Sequence, residues 1–271
     1  MKQLIFIIAV IVGFASCNGP KEEKNQESKT EKSNQNQVEN TALEAEDSTL
    51  IKLNEAIRSD IDNPGLYVKR SKYFDSIGDN TAAIKDLDRA YKIDSTNLNT
   101  LLAQADFLGK KGKVVMSLNI LENAKQLYPD EARIYVQMSE LFLMGKNNER
   151  SLKNADLAIK YDPFNADAYY LKGYNFLELG DTSKAISSYR TAVEQNPDFL
   201  EAYLELGLIF SQKDDPIALQ YYENALAVNP TEKRALYSKG MYEQEHELYN
   251  EAIQSYYKAT KAHPQFKEAY Y

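Results

Sequence analysis

Few side chains in this 271-residue chain are of types that make or break covalent bonds. Cys17 is its single cysteine, and His246 and His263 are its two histidines. Neither histidine stands at metal-ligand spacing from the other or from the cysteine, so no metal site is predicted. No glycine-rich phosphate loop and no Gly-x-Ser-x-Gly elbow occurs. The forty Asp and Glu residues are spread along the chain in the manner of a solvated surface. These features predict no catalytic residue, no cofactor and no enzyme activity. What remains is the Cys17 thiol. It follows Ala15-Ser16 at the end of an apolar run, Leu4 to Phe14, that begins after Lys2. The chemistry open to a thiol there is acylation, or survival as a leftover thiol after ordinary secretory cleavage.

The apolar run is about 11 residues long, short of the roughly 20 that span a bilayer, and has the layout of a signal peptide. Ala15-Ser16-Cys17 resembles a bacterial lipobox, with Phe14 where Leu is commoner. That resemblance implies a lipoprotein signal peptide over 1–16, and Cys17 as the acylated, palmitate-bearing first residue of the mature chain. Each buried CH₂ of such an anchor contributes about 0.8 kcal/mol. Asn18, rather than Asp, after the cysteine implies the bacterial outer membrane. Lys21-Glu22-Glu23 resembles a surface-export tag, and the sequence leaves the periplasmic face and the cell surface both open. Residues 17–47 are dominated by Gln, Asn, Glu, Lys and Ser. They cannot bury enough apolar surface to offset their ordering entropy, which predicts a disordered tether. About 30 such residues span roughly 30 Å.

The elements that must position any binding residue are legible as a period. Ala90, Ala124, Ala158, Ala192, Ala225 and Ala259 stand 34, 34, 34, 33 and 34 residues apart. In the same register, bulky Tyr67, Leu101, Tyr135, Tyr169, Tyr203 and Leu236 are followed four residues later by small Ser71, Ala105, Ser139, Gly173, Gly207 and Gly240. Three residues further on come Phe74, Leu108, Phe142, Phe176 and Phe210, with Glu243 breaking the column. Spacings of three and four place these residues on one helical face. Gly78-Asp79, Gly112 and Gly180-Asp181 then signal turns. A second apolar stretch ends in proline at Pro129, Pro163, Pro197, Pro230 and Pro264, with Ser95 in its place in the first unit. Each unit is predicted to be a hairpin of two short helices, in a stacked array rather than around one centre.

This pattern resembles the tetratricopeptide repeat (TPR), best over 166–199 as Tyr169, Gly173, Phe176, Ala185, Tyr189, Ala192 and Pro197. The resemblance implies an all-α, right-handed superhelical solenoid. Its six units would be 64–97, 98–131, 132–165, 166–199, 200–232 and 233–266, behind an N-terminal capping helix over 48–63. Residues 267–271 read as the start of an incomplete further repeat. Pentatricopeptide arrays share a similar period and bind RNA, but a net charge of −8 and a pI of about 5.0 argue against nucleic acid.

In TPR proteins the second, fifth, ninth and twelfth residues of each unit line a concave groove. Carried onto this chain, that implies partner-binding residues Tyr170, Tyr174, Leu177, Leu204, Leu208, Tyr237 and Met241, edged by Asp167, Glu201 and Arg234, with a more polar wall at Val68, Lys72, Leu102, Asp106, Arg133 and Glu140. The expected function is a membrane-anchored scaffold or adaptor that binds an unidentified protein or peptide in envelope assembly or maintenance. The alternative is the recognition arm of a larger enzyme or sensor. Ile253, Tyr256 and Tyr257 on the last helix predict exposed apolar surface, met either by self-association through the C-terminal repeat or by a covering segment absent from this chain.

Overall fold

The computed structural model describes residues 48–266. The expected signal peptide, the Cys17 anchor, the tether over 17–47 and the expected further repeat over 267–271 lie outside them. The chain divides into two units, one ending at Ala56 and one beginning at Ile57. The described part of the first, 48–56, is helical and belongs to helix α1, which runs over 48–59. In the second unit six helix pairs follow. They are α2 (Pro64–Ser76) with α3 (Asn80–Ile93), α4 (Leu98–Lys110) with α5 (Val114–Leu127), and α6 (Ala132–Met144) with α7 (Asn148–Tyr161). Then come α8 (Ala166–Glu178) with α9 (Thr182–Gln195), α10 (Leu200–Gln212) with α11 (Ile217–Val228), and α12 (Lys233–Glu245) with α13 (Tyr249–Ala262). No strand occurs among the described residues. We number these pairs hairpins 1 to 6.

Local chemistry sets the helix ends. Asn63, Asn97 and Asn165 cap first helices, accepting from the N–H groups of Gly65, Thr100 and Ala168 at 3.1, 3.0 and 2.9 Å. Pro64 sits in the first turn of α2, where its missing N–H costs nothing. Asp79, Asn147 and Asp181 cap second helices in the same way. Each such cap is worth about 1 kcal/mol. Between the two helices of a hairpin one residue takes a left-handed conformation. It is Gly78, Gly112 and Gly180 in hairpins 1, 2 and 4, and Lys146, Asp214 and Glu247 in the others, at φ of 55, 58 and 61°. Those three turns carry no glycine at the position that needs it, so composition does not signal them.

Packing follows the columns. All six period-defining alanines are fully buried. The small residue of each first helix is matched in size to the residue above it in the second. Ser71, Ala105 and Ser139 share their register positions with Gly173, Gly207 and Gly240, and Leu87, Leu121 and Ala155 share theirs with Tyr189, Tyr222 and Tyr256, whose rings lie over the three glycines. A Cβ on Gly173, Gly207 or Gly240 would stand 2.7, 2.5 or 2.7 Å from the ring above it. Hairpin 3, with the smallest pair, fills the space with polar groups. The Ser139 and Ser151 hydroxyls each bond the other's carbonyl at 2.9 Å, and Asn175 Nδ2 donates to Ser151 Oγ at 2.8 Å. These hydrogen bonds offset the cost of burying the groups that make them, while Asn175 Oδ1 stays buried without a partner.

Of two readings about hairpin 6, one stands and one changes. Glu243 does break the aromatic column, but it is buried at 2 % exposure, accepting from Lys239 Nζ and Ser255 Oγ, both at 2.6 Å. Tyr256 is half-buried rather than presented at the end of the array. Its ring covers Gly240 and its hydroxyl donates to Gln244 Oε1 at 3.0 Å. The exposed apolar residues of α13 are Tyr249, Ile253 and Tyr257, at spacings of four that place them on one stripe.

Candidate functional site

Consecutive first helices pack against one another, α2 on α4, α4 on α6, α6 on α8 and α10 on α12. The repeat pattern assigns their second, fifth, ninth and twelfth residues to a shared face. On α10 and α12, Leu208 and Met241 are open to solvent at 40 and 41 % exposure. Tyr174 and Leu177 are half-buried against the cluster around Tyr189. Tyr170 is half-buried too, its ring centroid 5.6 Å from Tyr189 and 5.0 Å from Phe199. Tyr237 packs 5.9 Å from Tyr256 and 5.2 Å from Phe266. Leu204 corrects the sequence reading. At 4 % exposure it belongs to the core with Ala225 and Ala235.

A cavity of about 330 Å³ opens beside these residues, with Leu204 as floor and Leu208, Tyr222, Arg234, Tyr237 and Phe266 as walls. Arg234 Nη2 lies 3.1 Å from Glu205 Oε1 at its rim. Tyr189 Oη, in the same cluster, is buried without a hydrogen-bond partner. Burial, and then the nearby Glu205 and Glu201, push the Tyr170 hydroxyl up to about 12. Sequence reasoning missed Glu205 and Phe199, because neither stands at one of the four groove positions of its repeat.

The face becomes acidic toward hairpins 2 and 3. Part of Glu140 meets solvent, yet its carboxyl is pushed up to about 7, chiefly by desolvation and then by Asp167 and Asp106, with Lys110 opposing. Asp167 is raised by desolvation and Glu201. A carboxylate raised above its ordinary value of about 4.5 holds more protons folded than unfolded between that pH and about 7. The contribution of this group to stability falls as pH rises through that window. Glu140→Gln should therefore raise stability at pH 8 by about 1 kcal/mol, discounted for solvent screening, and change little at pH 5. Urea denaturation at both pH values checks this, and an equal effect at both would contradict it.

The histidines have structural partners. His246 joins the turns of hairpins 5 and 6, with Nε2 2.7 Å from Asp214 Oδ1 and Nδ1 2.7 Å from the Tyr242 carbonyl. Those two bonds, the carbonyl first, raise its pKa. His263 Nε2 lies 2.6 Å from the Thr231 carbonyl. Among the described residues no group of three His, Cys, Asp or Glu side chains is placed to hold a metal ion, and no helix is long and apolar enough to cross a membrane.

Comparison with known proteins fits this geometry. A TPR repeat model matches residues 173–214, and a tetratricopeptide repeat model matches 214–265. The human tetratricopeptide repeat protein 13 is 26 % identical over 125 residues, covering 46 % of this chain and 14 % of that protein. The type IV pilus assembly protein PilF of Pseudomonas aeruginosa is 31 % identical over 96 residues, covering 35 % of this chain and 38 % of its own. The human protein O-mannosyl-transferase TMTC1 is 30 % identical over 104 residues, covering 36 % of this chain and 12 % of that protein. The chain thus spans well under half the length of each of these relatives. Among solved structures, the Cut9–Hcn1 assembly of the APC/C superposes at a TM-score of 0.68 and 10 % identity, over 83 % of this chain and 45 % of that one. Pseudomonas aeruginosa PilF superposes at 0.63 and 15 %, over 76 and 95 %. The fold is an all-α superhelix of tetratricopeptide repeats, the family to which both matched models belong.

Proposed function

We propose that the chain is a scaffold that binds a protein or peptide along the face of α8, α10 and α12, and that acyl chains on Cys17 anchor it to the bacterial outer membrane for a task in envelope assembly or maintenance. The observation that carries the binding part is the pair of open apolar side chains, Leu208 and Met241, beside a cavity with aromatic walls. Exposed apolar surface edged by charge is the usual signature of an interaction site. The likeness to a protein named for pilus assembly supports the envelope setting. The same reading includes pairing of two copies through the Tyr249, Ile253 and Tyr257 stripe. The alternative, a recognition arm of a larger enzyme, has support in the relatives named as O-mannosyl-transferases, of which the matched segment is a small part.

Crosslinking in the native cell followed by mass spectrometry tests the proposal. Wild-type crosslinks are expected on α8, α10 and α12. Leu208→Glu with Met241→Glu should remove them and leave the unfolding midpoint unchanged, since both side chains are exposed. Cys17→Ala should move the protein out of the membrane fraction. Crosslinks confined to the second helices would move the site off this face, and membrane retention of the Cys17 variant would remove the anchor.

A further inference from the structure

A second cavity, of about 410 Å³, lies between hairpins 1 and 2. Ser71, Asp75, Leu87, Ala103 and Phe107 line it, together with Lys72, Ser76 and the ion-paired Asp106 and Lys110. Its place in the repeat identifies what would fit. Ser71 and Leu87 correspond to Gly173 and Tyr189, to Gly207 and Tyr222, and to Gly240 and Tyr256. In hairpins 4 to 6 the tyrosine ring therefore lies across the small residue of the first helix. In hairpins 5 and 6 its hydroxyl lies near that helix's twelfth residue, whereas in hairpin 4 the Tyr189 hydroxyl is buried without a partner. Tyr256 Oη donates to Gln244, the twelfth residue of its unit, at 3.0 Å. The Tyr222 hydroxyl has Ser211, likewise a twelfth residue, and Ser238, a sixth, near enough to oppose the upward push of burial on its pKa.

In hairpin 1 the twelfth residue is Asp75 and the sixth residue of the next unit is Ala103. Leu87 is too short to reach them. Hairpins 2 and 3 also lack the tyrosine. There, however, Gln137 and Leu171 stand where Ala103 stands, and Leu141 and Asn175 fill in beside them. Leu141 approaches within 2.9 Å of the Cβ position of Gly109, and Asn175 bonds Ser151. With Leu87 in place of a tyrosine and Ala103 opposite, the space that a tyrosine ring fills in hairpins 4 to 6 is left open here, although Phe107 stands where Leu141 and Asn175 stand and forms part of the wall.

We propose that this cavity receives a tyrosine side chain of a bound polypeptide, with the phenol hydroxyl donating to the Asp75 carboxylate. Lys111 Nζ, 2.8 Å from Asp75 Oδ1, holds that carboxylate in place, and a carboxylate accepts several donors at once. The ring would lie on Leu87 and Phe107 as the chain's own tyrosines lie on their neighbours. This assignment rests on the reading that the first-helix face binds polypeptide.

The probes are N-acetyl-L-tyrosinamide and N-acetyl-L-phenylalaninamide, titrated into the full chain while the methyl signals of Leu87 and Ala103 are followed by NMR. The tyrosine probe should shift both signals and bind about tenfold more tightly than the phenylalanine probe, the worth of a hydrogen bond to a charged acceptor. Asp75→Ala should abolish that preference. Ser71→Gly with Leu87→Tyr copies hairpins 4 to 6 and should close the cavity from within. Ala103→Leu, which copies Leu171, should close it from the opposite wall and serves if the first variant folds poorly. Shifts absent up to the solubility limit, equal affinity for the two probes, or binding that survives Ala103→Leu would each overturn the proposal. If the native-cell crosslinks on α8 to α12 stand while the probes fail, this cavity's role falls alone. If the probes bind while those crosslinks are absent, the reading of the α8–α12 face falls instead.

Discussion

Gly207→Ala is expected to destabilise the protein by about 2–3 kcal/mol, a large effect for the addition of one methyl group. The new Cβ would stand 2.5 Å from Tyr222 Cε1 and 2.7 Å from Cδ1. The ring cannot retreat, because Tyr222 is 1 % exposed and closed in by the neighbouring hairpin. Tyr222→Leu alone should cost a similar amount, through the cavity left over Gly207. Together the two changes should cost much less than their sum. They rebuild the Ala105–Leu121 pair, both members of which hairpin 2 holds fully buried. Residues in direct contact are where additivity fails, and the coupling measures that contact. Stacked repeats can unfold in more than one step, so urea titrations should be followed by helix signal and by tyrosine fluorescence in parallel. Additive losses would show that the fit between the two columns is not what sets the close approach of these helices.

The same size-matching explains what was legible in the sequence. The alanine column and the small column predict helical hairpins because a helix can approach another closely only where side chains are small, and that requirement recurs with the period. It does not depend on distant parts of the chain. The turns were legible where glycine marks them, at Gly78, Gly112 and Gly180. They were not at Lys146, Asp214 and Glu247, where the hairpin forces an ordinary residue to a positive φ. Binding residues were harder. Position within a repeat gives the helical face a side chain occupies, but its depth depends on neighbours from another hairpin. Leu208 and Met241 are exposed on that face, whereas Leu204, one turn from Leu208, sinks between Ala225 and Ala235. The cavity between hairpins 1 and 2 was hidden for the same reason. It arises from what Leu87 and Ala103 jointly fail to fill, and neither residue is unusual by itself.

Glu243 carries the second large effect, and its two substitutions should differ sharply. Glu243→Ala removes the acceptor of Lys239 Nζ and Ser255 Oγ and leaves a lysine that is 18 % exposed with only Glu223, at 3.8 Å, as partner. Breaking a buried ion pair from one side costs about 3 kcal/mol or more. Glu243→Phe also removes the carboxylate, but hairpin 4 shows how the rest can adapt. There the corresponding residues are Lys172, Phe176 and Ser188. Lys172 Nζ turns to Asp156 of the preceding hairpin at 2.7 Å and lies 6.0 Å over the Phe176 ring. Ser188 Oγ donates within its own helix to the Lys184 carbonyl at 2.9 Å. Hairpin 6 has the same pieces. Glu223 stands where Asp156 stands, and Ser255 can turn to the carbonyl four residues back. A phenylalanine would restore the aromatic column and replace a desolvated charge with apolar area, a change that is neutral or stabilising where packing permits. The unfolding midpoint of Glu243→Phe should equal or exceed that of the wild type, while Glu243→Ala falls several degrees below it. If the phenylalanine variant falls as far as the alanine one, hairpin 6 needs the carboxylate for its fold and its departure from the column is an obligatory part of the packing.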